Sequence, residues 1–584
     1  MTTPIKRFFK ALDIEERKFA SRLSEDNFGI YFRSAINELD WYYYNSKSAK
    51  ELSIEQQEQF YIILLGVTRF IYLAFKARSS FDAPVVMFPR KKELTLDVLS
   101  VVSAIGMIQH GRRIAQTIQL GIGKIEEVSD NEFMIKLPDE LVDESYFERE
   151  VLEHYVNESR RMFSLITSND KFEEIKEDVS KKLSELVYPF AKDYIGYDAD
   201  ILLDEYFMAI AYHEISLKEG YDTFHYKVKF GGVCFQNYIL ALTFIYANAI
   251  RHEKFAEALV DKDKNIRLEN VLTVSADTES FVQNVMDAVN HFGVSLADHE
   301  ALDYESARKI FEVLSCSRRN AKLVEAPGSP LPPIVQCSDT GCIKYLTGAQ
   351  YEPIRFLLES LRYHYPKDYD INQATREKSM QRAIRRVLGE TFKNLEYREN
   401  IKIRLNSNIL TDIDFVVLEE KTGTVILCQL KHQELYGYNI HSKRMRTDRL
   451  KRQIQEWLSD LDIWLKSVDD VSIRQSLRIP RSYPKLKYHQ LIITRHFAYP
   501  LKDLVQDVSV VFTSWTNFIN SNEIIKKQSH DSISELLMLM REQQVRQSEV
   551  NHLLEPTTKW KINNLTFVTT HAGSVKADNG KETI

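Results

Sequence analysis

The chain has 584 residues, too many for one hydrophobic core, and this length corresponds to about three to four domains. Hydrophobic residues at 44% and charged residues at 27% exclude wholesale disorder. A net charge of −6 excludes an overall positive field, so any nucleic-acid contact must rest on a local basic patch.

The five cysteines are unevenly spaced, as expected for a reducing compartment. The longest apolar run, YILALTFIYANAI from Tyr238, reads as too short to span a bilayer. The N-terminus turns charged too early for a secretory signal. The expectation is a cytoplasmic protein with no membrane partner.

From the start to about Arg113, apolar residues recur at three- and four-residue spacing, as in FYIILLGVTRFIYLAF from Phe60, and predict helices. AQTIQLGIGKIEEVSDNEFMIKL then alternates and turns at Ser129-Asp130-Asn131, which predicts a small hairpin. The helical pattern returns from Asp139 to about Leu314 and includes EREVLEHYVNESRRMFSLI. Gly231-Gly232 lacks the spacing of a phosphate-binding loop and reads as a structural turn. Residues 1–325 are thus expected to be a mainly helical recognition or regulatory region, with a division into two subdomains near 115–140 left open. In APGSPLPPIVQ, Ala326 to Gln336, four prolines exclude a helix, and 326–344 is read as a linker.

Two helical stretches follow, YEPIRFLLESLRYHY and INQATREKSMQRAIRRVLGE, then strand-like runs at LEYRENIKIRL, DIDFVVLEE and TVILCQLK. A long amphipathic helix, MRTDRLKRQIQEWLSDLDIWL, leads to a fourth strand, YHQLIITR, and a fifth run, VSVVFTSWTNFI. This order predicts an α/β domain over 345–530, a mixed sheet with helices on both faces. Residues 531–584 read as a helix and a polar tail, loosely held from about Thr557.

The chemistry gathers at one hairpin. Glu419 to Thr424 (EEKTGT) is a turn in which Gly423 can take positive φ, pairing DIDFVVL antiparallel to TVILCQLK. Asp414 then lies beside Gln429 and Lys431, which share a strand face, as Asp412 and Asp414 do. A buried lysine needs a negative partner. Asp414, the Gln429 side-chain oxygen and the Leu430 carbonyl make a hard oxygen set for Mg²⁺ or Mn²⁺, with Lys431 placed to stabilise charge growing on a phosphate. Asp412 reads rather as a solvent-facing neighbour or as a turn residue after Asn406-Ser407-Asn408.

The pattern D(x)14QxK, on a hairpin between helices, resembles the PD-(D/E)xK nuclease superfamily over roughly Asp370 to Asn522. The glutamine at position 429 departs from the usual acid and resembles the QxK variant of Mrr-type restriction endonucleases. The resemblance implies a restriction-endonuclease-like fold and a metal-dependent endonuclease, with Asp414, Gln429 and Lys431 as its strand residues. The acid that this family often carries on the preceding helix falls to Glu377, on the stripe of Met380, Ile384, Val387 and Leu388, in preference to Glu390. Lys443, Arg444, Arg446, Arg449 and Arg452 form a basic stretch for a phosphate backbone, extended by Arg382, Arg385 and Arg386, with Tyr436 and Tyr438 available for stacking.

DNA is favoured as partner, although the hydrolytic residues do not distinguish it from RNA. By analogy, a large chain with such a domain resembles bacterial restriction or antiphage defence effectors, acting alone, as a homo-oligomer or with a partner that controls activation. A catalytically inactive nuclease-like module for nucleic-acid binding or assembly stays open, supported by the acid missing at Gln429.

Overall fold

The computed structural model describes residues 3–23, 26–48, 53–81, 91–121, 123–137, 170–191, 194–219, 224–432, 440–495, 510–528, 532–548 and 557–571. The N-terminal half is mainly helical, and a mixed sheet flanked by helices follows it. The helix expected at EREVLEHYVNESRRMFSLI and the loop tyrosines Tyr436 and Tyr438 lie outside the described residues.

The first helical group is built on Phe28–Ser48, Ile54–Ala77 and Lys92–Gln119. The last two cross closely because each offers a glycine. A Cβ on Gly66 would stand 1.9 Å from the Val102 carbonyl oxygen, and one on Gly106 would stand 2.0 Å from that of Ile62. These two helices correct the expectation about membrane-spanning length. Glu55–Ala77 and Lys92–Gln119 are long and apolar enough to cross a bilayer, but 67% and 50% of their apolar windows are buried inside this fold. A second group surrounds the apolar helix Phe235–Lys262, whose Tyr238, Ala241 and Leu242 are fully buried.

The proline-rich stretch is not a linker. Pro327, Pro330, Pro332 and Pro333 are buried, and Ile334–Gln336 is a strand of a small sheet with Gly341–Lys344, Val274–Asp277 and Ser315–Cys316. Period-two alternation explains why it is buried on both faces. Ile334 and Cys342 pack into the second helical group, while Val335 and Ile343 pack into the first. The prolines do exclude a helix, but the chain they rigidify is core. Helix Pro353–His364 and Tyr369 also belong to the helical half, so the change of unit falls between Tyr369 and Met380 rather than at 345.

The hairpin at Asn131 forms as expected, with Asn131 at φ 61. The tail corrects its reading. Thr558–Ile562 and Leu565–His571 complete a four-stranded sheet with that hairpin, and Leu565–His571 runs parallel to Glu132–Leu137. Phe567, fully buried, meets Phe8 at 5.4 Å between ring centroids.

The C-terminal unit starts with α1 (Ala374–Thr391) and continues through β1 (Leu395–Leu405), β2 (Asn408–Glu419) and β3 (Thr424–Lys431). Helix α2 (Ile440–Ser467) precedes β4 (Lys487–Thr494), β5 (Val510–Ser514) and α3 (Trp515–Gln528). The five strands lie in chain order, with β1 to β3 antiparallel and β3 to β5 parallel. Phe415, Val417, Ile426 and Cys428 pack against Met380, Ala383 and Ile384 of α1. Val416, Leu418, Val425 and Leu427 pack on the other face against Leu450, Ile454 and Trp457 of α2. The run VSVVFTSWTNFI is strand only to Ser514 and becomes α3 at Trp515.

Candidate functional site

The turn between β2 and β3 takes the form its sequence predicts. Gly423 sits at φ +69, and a Cβ there would meet the Lys485 carbonyl oxygen at 2.4 Å, so the position needs glycine. From this turn the β2–β3 ladder runs as far as Phe415 opposite Cys428. At the next position the pairing changes character. The Leu430 backbone N–H donates to Asp414 Oδ2 at 2.7 Å, a side chain taking the place of a ladder carbonyl.

A local break in alternation explains this splay. Ile413 and Val416 belong to the same α2-facing core although they are three residues apart, so the period-two pattern slips at Asp414. On β1, Asn400 adopts φ +53, and the recorded pairing skips from Glu399–Phe415 to Ile401–Ile413. Buried Gln381 of α1 holds the slip in place. Its Nε2 donates to the Asp414 carbonyl oxygen at 3.0 Å and to Asn400 Oδ1 at 3.2 Å.

Three of the expected ligand positions lie at this break in the ladder. Asp414 is partly buried and contacts the Leu430 backbone. A strand residue's N–H and C=O point to the same edge, so the Leu430 carbonyl also faces β2. Gln429 lies on the α2 side of β3 with Val425 and Leu427, at the position that continues the ladder opposite Asp414. Its side chain is 5% exposed, and Oε1 is buried without a hydrogen-bond donor among the described residues. Such an acceptor costs about 1–3 kcal/mol unless something satisfies it. The Asp414 charge is felt locally: burial first, and then this carboxylate, push the Cys428 thiol well up.

Lys431 follows on the same face as Gln429, partly buried, and its carbonyl accepts from the Arg495 N–H at 2.9 Å. Asp412 is exposed, and its backbone carbonyl accepts from Trp457 Nε1 at 2.8 Å, which makes it a docking point for α2. Glu377 lies on α1 one helical turn before Gln381, and its side chain is outside the described residues. Glu390 faces Lys526 of α3 at 3.5 Å. Among the described residues, no three His, Cys, Asp or Glu side chains come together. The set here is one carboxylate, one amide oxygen and one backbone carbonyl, hard oxygen donors that suit Mg²⁺ or Mn²⁺ better than a thiophilic metal.

The basic stretch divides. Helix α2 carries all five positions, but the side chains of Lys443, Arg444 and Arg446 are outside the described residues. Arg449 and Arg452 are exposed, while Leu450, Ile454 and Trp457 cover the sheet. On α1, Arg385 pairs with Glu399 at 2.7 Å, and Arg382 and Arg386 line a cleft against the helical half. Gln381 and Asn400 were missed by sequence reasoning. The spacing of Gln381, four residues after Glu377 and beside the buried stripe, was the available signal.

Comparison with family models, with curated proteins and with solved structures finds no match to this chain.

Proposed function

We propose that the C-terminal unit is a metal-dependent endonuclease of the PD-(D/E)xK kind, with a restriction-endonuclease-like core, acting on DNA. The observation that carries this reading is the Gln429 Oε1 acceptor, buried without a donor among the described residues at the ladder position opposite Asp414, whose carboxylate takes the Leu430 N–H. A hairpin that only closes a sheet has no reason to keep both features.

Asp414, Gln429 Oε1 and the Leu430 carbonyl would hold Mg²⁺ or Mn²⁺, with Glu377 the further acid. When bound, such an ion neutralises phosphate charge and lowers the pKa of water. Lys431 places an ammonium on the same face, where it meets negative charge growing on phosphate oxygens. Gln381 and Asn400 position Asp414 through its backbone. Arg449 and Arg452 present charge to the sugar-phosphate backbone without reading bases. A role in bacterial restriction or antiphage defence, with the helical half controlling activation, extends this reading by analogy alone.

Incubation of supercoiled plasmid and single-stranded RNA with the full chain tests it, in Mg²⁺, Mn²⁺ or EDTA. Metal-dependent plasmid cleavage should fall by at least about 100-fold in Asp414→Asn and in Lys431→Met. Asp414→Asn keeps an acceptor for the Leu430 N–H, so loss of activity in a folded variant reports chemistry. Cleavage of RNA alone would move the substrate. Salt-sensitive binding without cleavage, unchanged in both variants, would favour the inactive-module reading, whose support is the glutamine itself.

A further inference from the structure

The cleft between α1 and the helical half has a volume of about 460 Å³ and runs along the flank of α1 that carries Ser379, Arg382, Ala383 and Arg386. Its walls include Tyr212, His225 and Tyr226 from the helical half and Arg382 and Arg386 from α1. Among the described residues none that lines it is acidic, so in a chain of net charge −6 these residues make a local reversal of sign. Tyr212 and Tyr226 each keep 39% of their surface exposed, although aromatic rings this large are usually covered. His225 and Tyr226 stack on each other at 4.3 Å between centroids, and the Lys227 ammonium lies 5.6 Å from the Tyr226 centroid, so the cleft joins aromatic surface to positive charge. Among the described residues the hydrogen bonds of Arg382 stay within its own helix, to the Lys378 carbonyl at 3.3 Å and Ser379 Oγ at 3.4 Å, and no carboxylate pairs with it. Phe224, in its lining, is backed by the Arg376 guanidinium, 4.3 Å from the ring centroid and bonded to Tyr369 Oη at 3.2 Å.

The geometry points to a binding site for a nucleoside phosphate, its base against the stacked His225–Tyr226 pair and its phosphates on Arg382. A planar ring finds aromatic surface there, and an anion finds a guanidinium that no carboxylate among the described residues occupies. The volume suits one mononucleotide rather than a peptide or a duplex. Burial, with the nearby Arg382 and Lys227 charges, pushes the His225 imidazole down, so the ring is neutral and free to stack at pH 7. The occupied wall is also the helix whose inner side carries Gln381 to Asp414, so a bound nucleotide would steady the strand slip from behind. The site stands independently of whether Asp414 hydrolyses anything.

Calorimetric titration of the full chain in EDTA tests it, using the four ribonucleoside 5′-triphosphates, adenosine, inorganic phosphate and hexathymidylate. At least one triphosphate should bind one site. Its binding should weaken at least about tenfold in Arg382→Ala and in Tyr226→Leu, both exposed positions. Adenosine and inorganic phosphate, each engaging half the cleft, should bind at least about tenfold more weakly. Absence of triphosphate binding, binding equal in both variants, or variant-sensitive binding of hexathymidylate alone would overturn the assignment, the last by giving the cleft to a polynucleotide strand.

Discussion

Replacing Gln429 by methionine separates a cation ligand from an ordinary buried amide. Methionine has nearly the same length and fills the same space without a carbonyl. The Gln429 side chain is 5% exposed and its Oε1 has no donor among the described residues, so in metal-free buffer the exchange removes an unsatisfied acceptor. That should stabilise the C-terminal unit by about 1 kcal/mol, the low end of the cost of such a group. With Mn²⁺ the advantage disappears. At tenfold excess over Kd the wild type gains about 1.4 kcal/mol, whereas loss of one of three oxygen donors weakens binding at least about tenfold and removes most of that gain. Urea unfolding followed by tryptophan fluorescence reads this, because Trp457, Trp464 and Trp515 are buried in this unit. A variant that is less stable than wild type without metal, together with a wild-type midpoint that Mn²⁺ does not move, would refute the reasoning.

Glu16 bonds Arg69 at 2.9 Å and Arg112 at 2.5 Å. Burial alone would raise its carboxyl, but hydrogen bonds from Arg69 and Arg112 outweigh this and hold it at about 2. The folded value is depressed, so the stabilisation is present above pH 4.5 and lost as pH falls toward 2. Glu16→Gln should cost about 2 kcal/mol at pH 7, discounted for screening, and the difference should shrink over that window in acid titrations of stability. Burial pushes the His252 imidazole down to about 4 against an ordinary 6.5, so stability should drop as pH falls between these values, by up to about 3 kcal/mol, and less steeply in His252→Gln. Asp40, pushed up to about 6 by burial despite hydrogen bonds from Thr347, Leu346 and Thr273, runs the opposite way and offsets part of that slope. Phe567→Ala, at a fully buried ring, should cost about 3–5 kcal/mol and expose the terminal strands to limited proteolysis.

Much of the C-terminal unit was legible because its signals are local. The almost continuous apolar run from Val425 to Leu430 marks a strand buried on both faces, Gly423 marks the turn, and together they set the register that puts Asp414 beside Gln429. What stayed hidden depends on partners distant in sequence. The strand Leu565–His571 reads as tail because its apolar face means nothing until Glu132–Leu137 is beside it. The prolines near 330 read as a linker because a loop buried between two helical groups has the same local composition as an exposed one. The slip at Asp414 requires Asn400 in the left-handed region and Gln381 reaching across from α1. Asparagine tolerates that conformation without announcing it.

The most direct measurement is anomalous diffraction from crystals of the full chain soaked in Mn²⁺. The account predicts a peak about 2.0–2.3 Å from an Asp414 carboxylate oxygen, from Gln429 Oε1 and from the Leu430 carbonyl oxygen, absent in Asp414→Asn crystals. A map with no peak between β2 and β3, and with Gln429 Oε1 bonded to an ordered water or a protein donor instead, would contradict it.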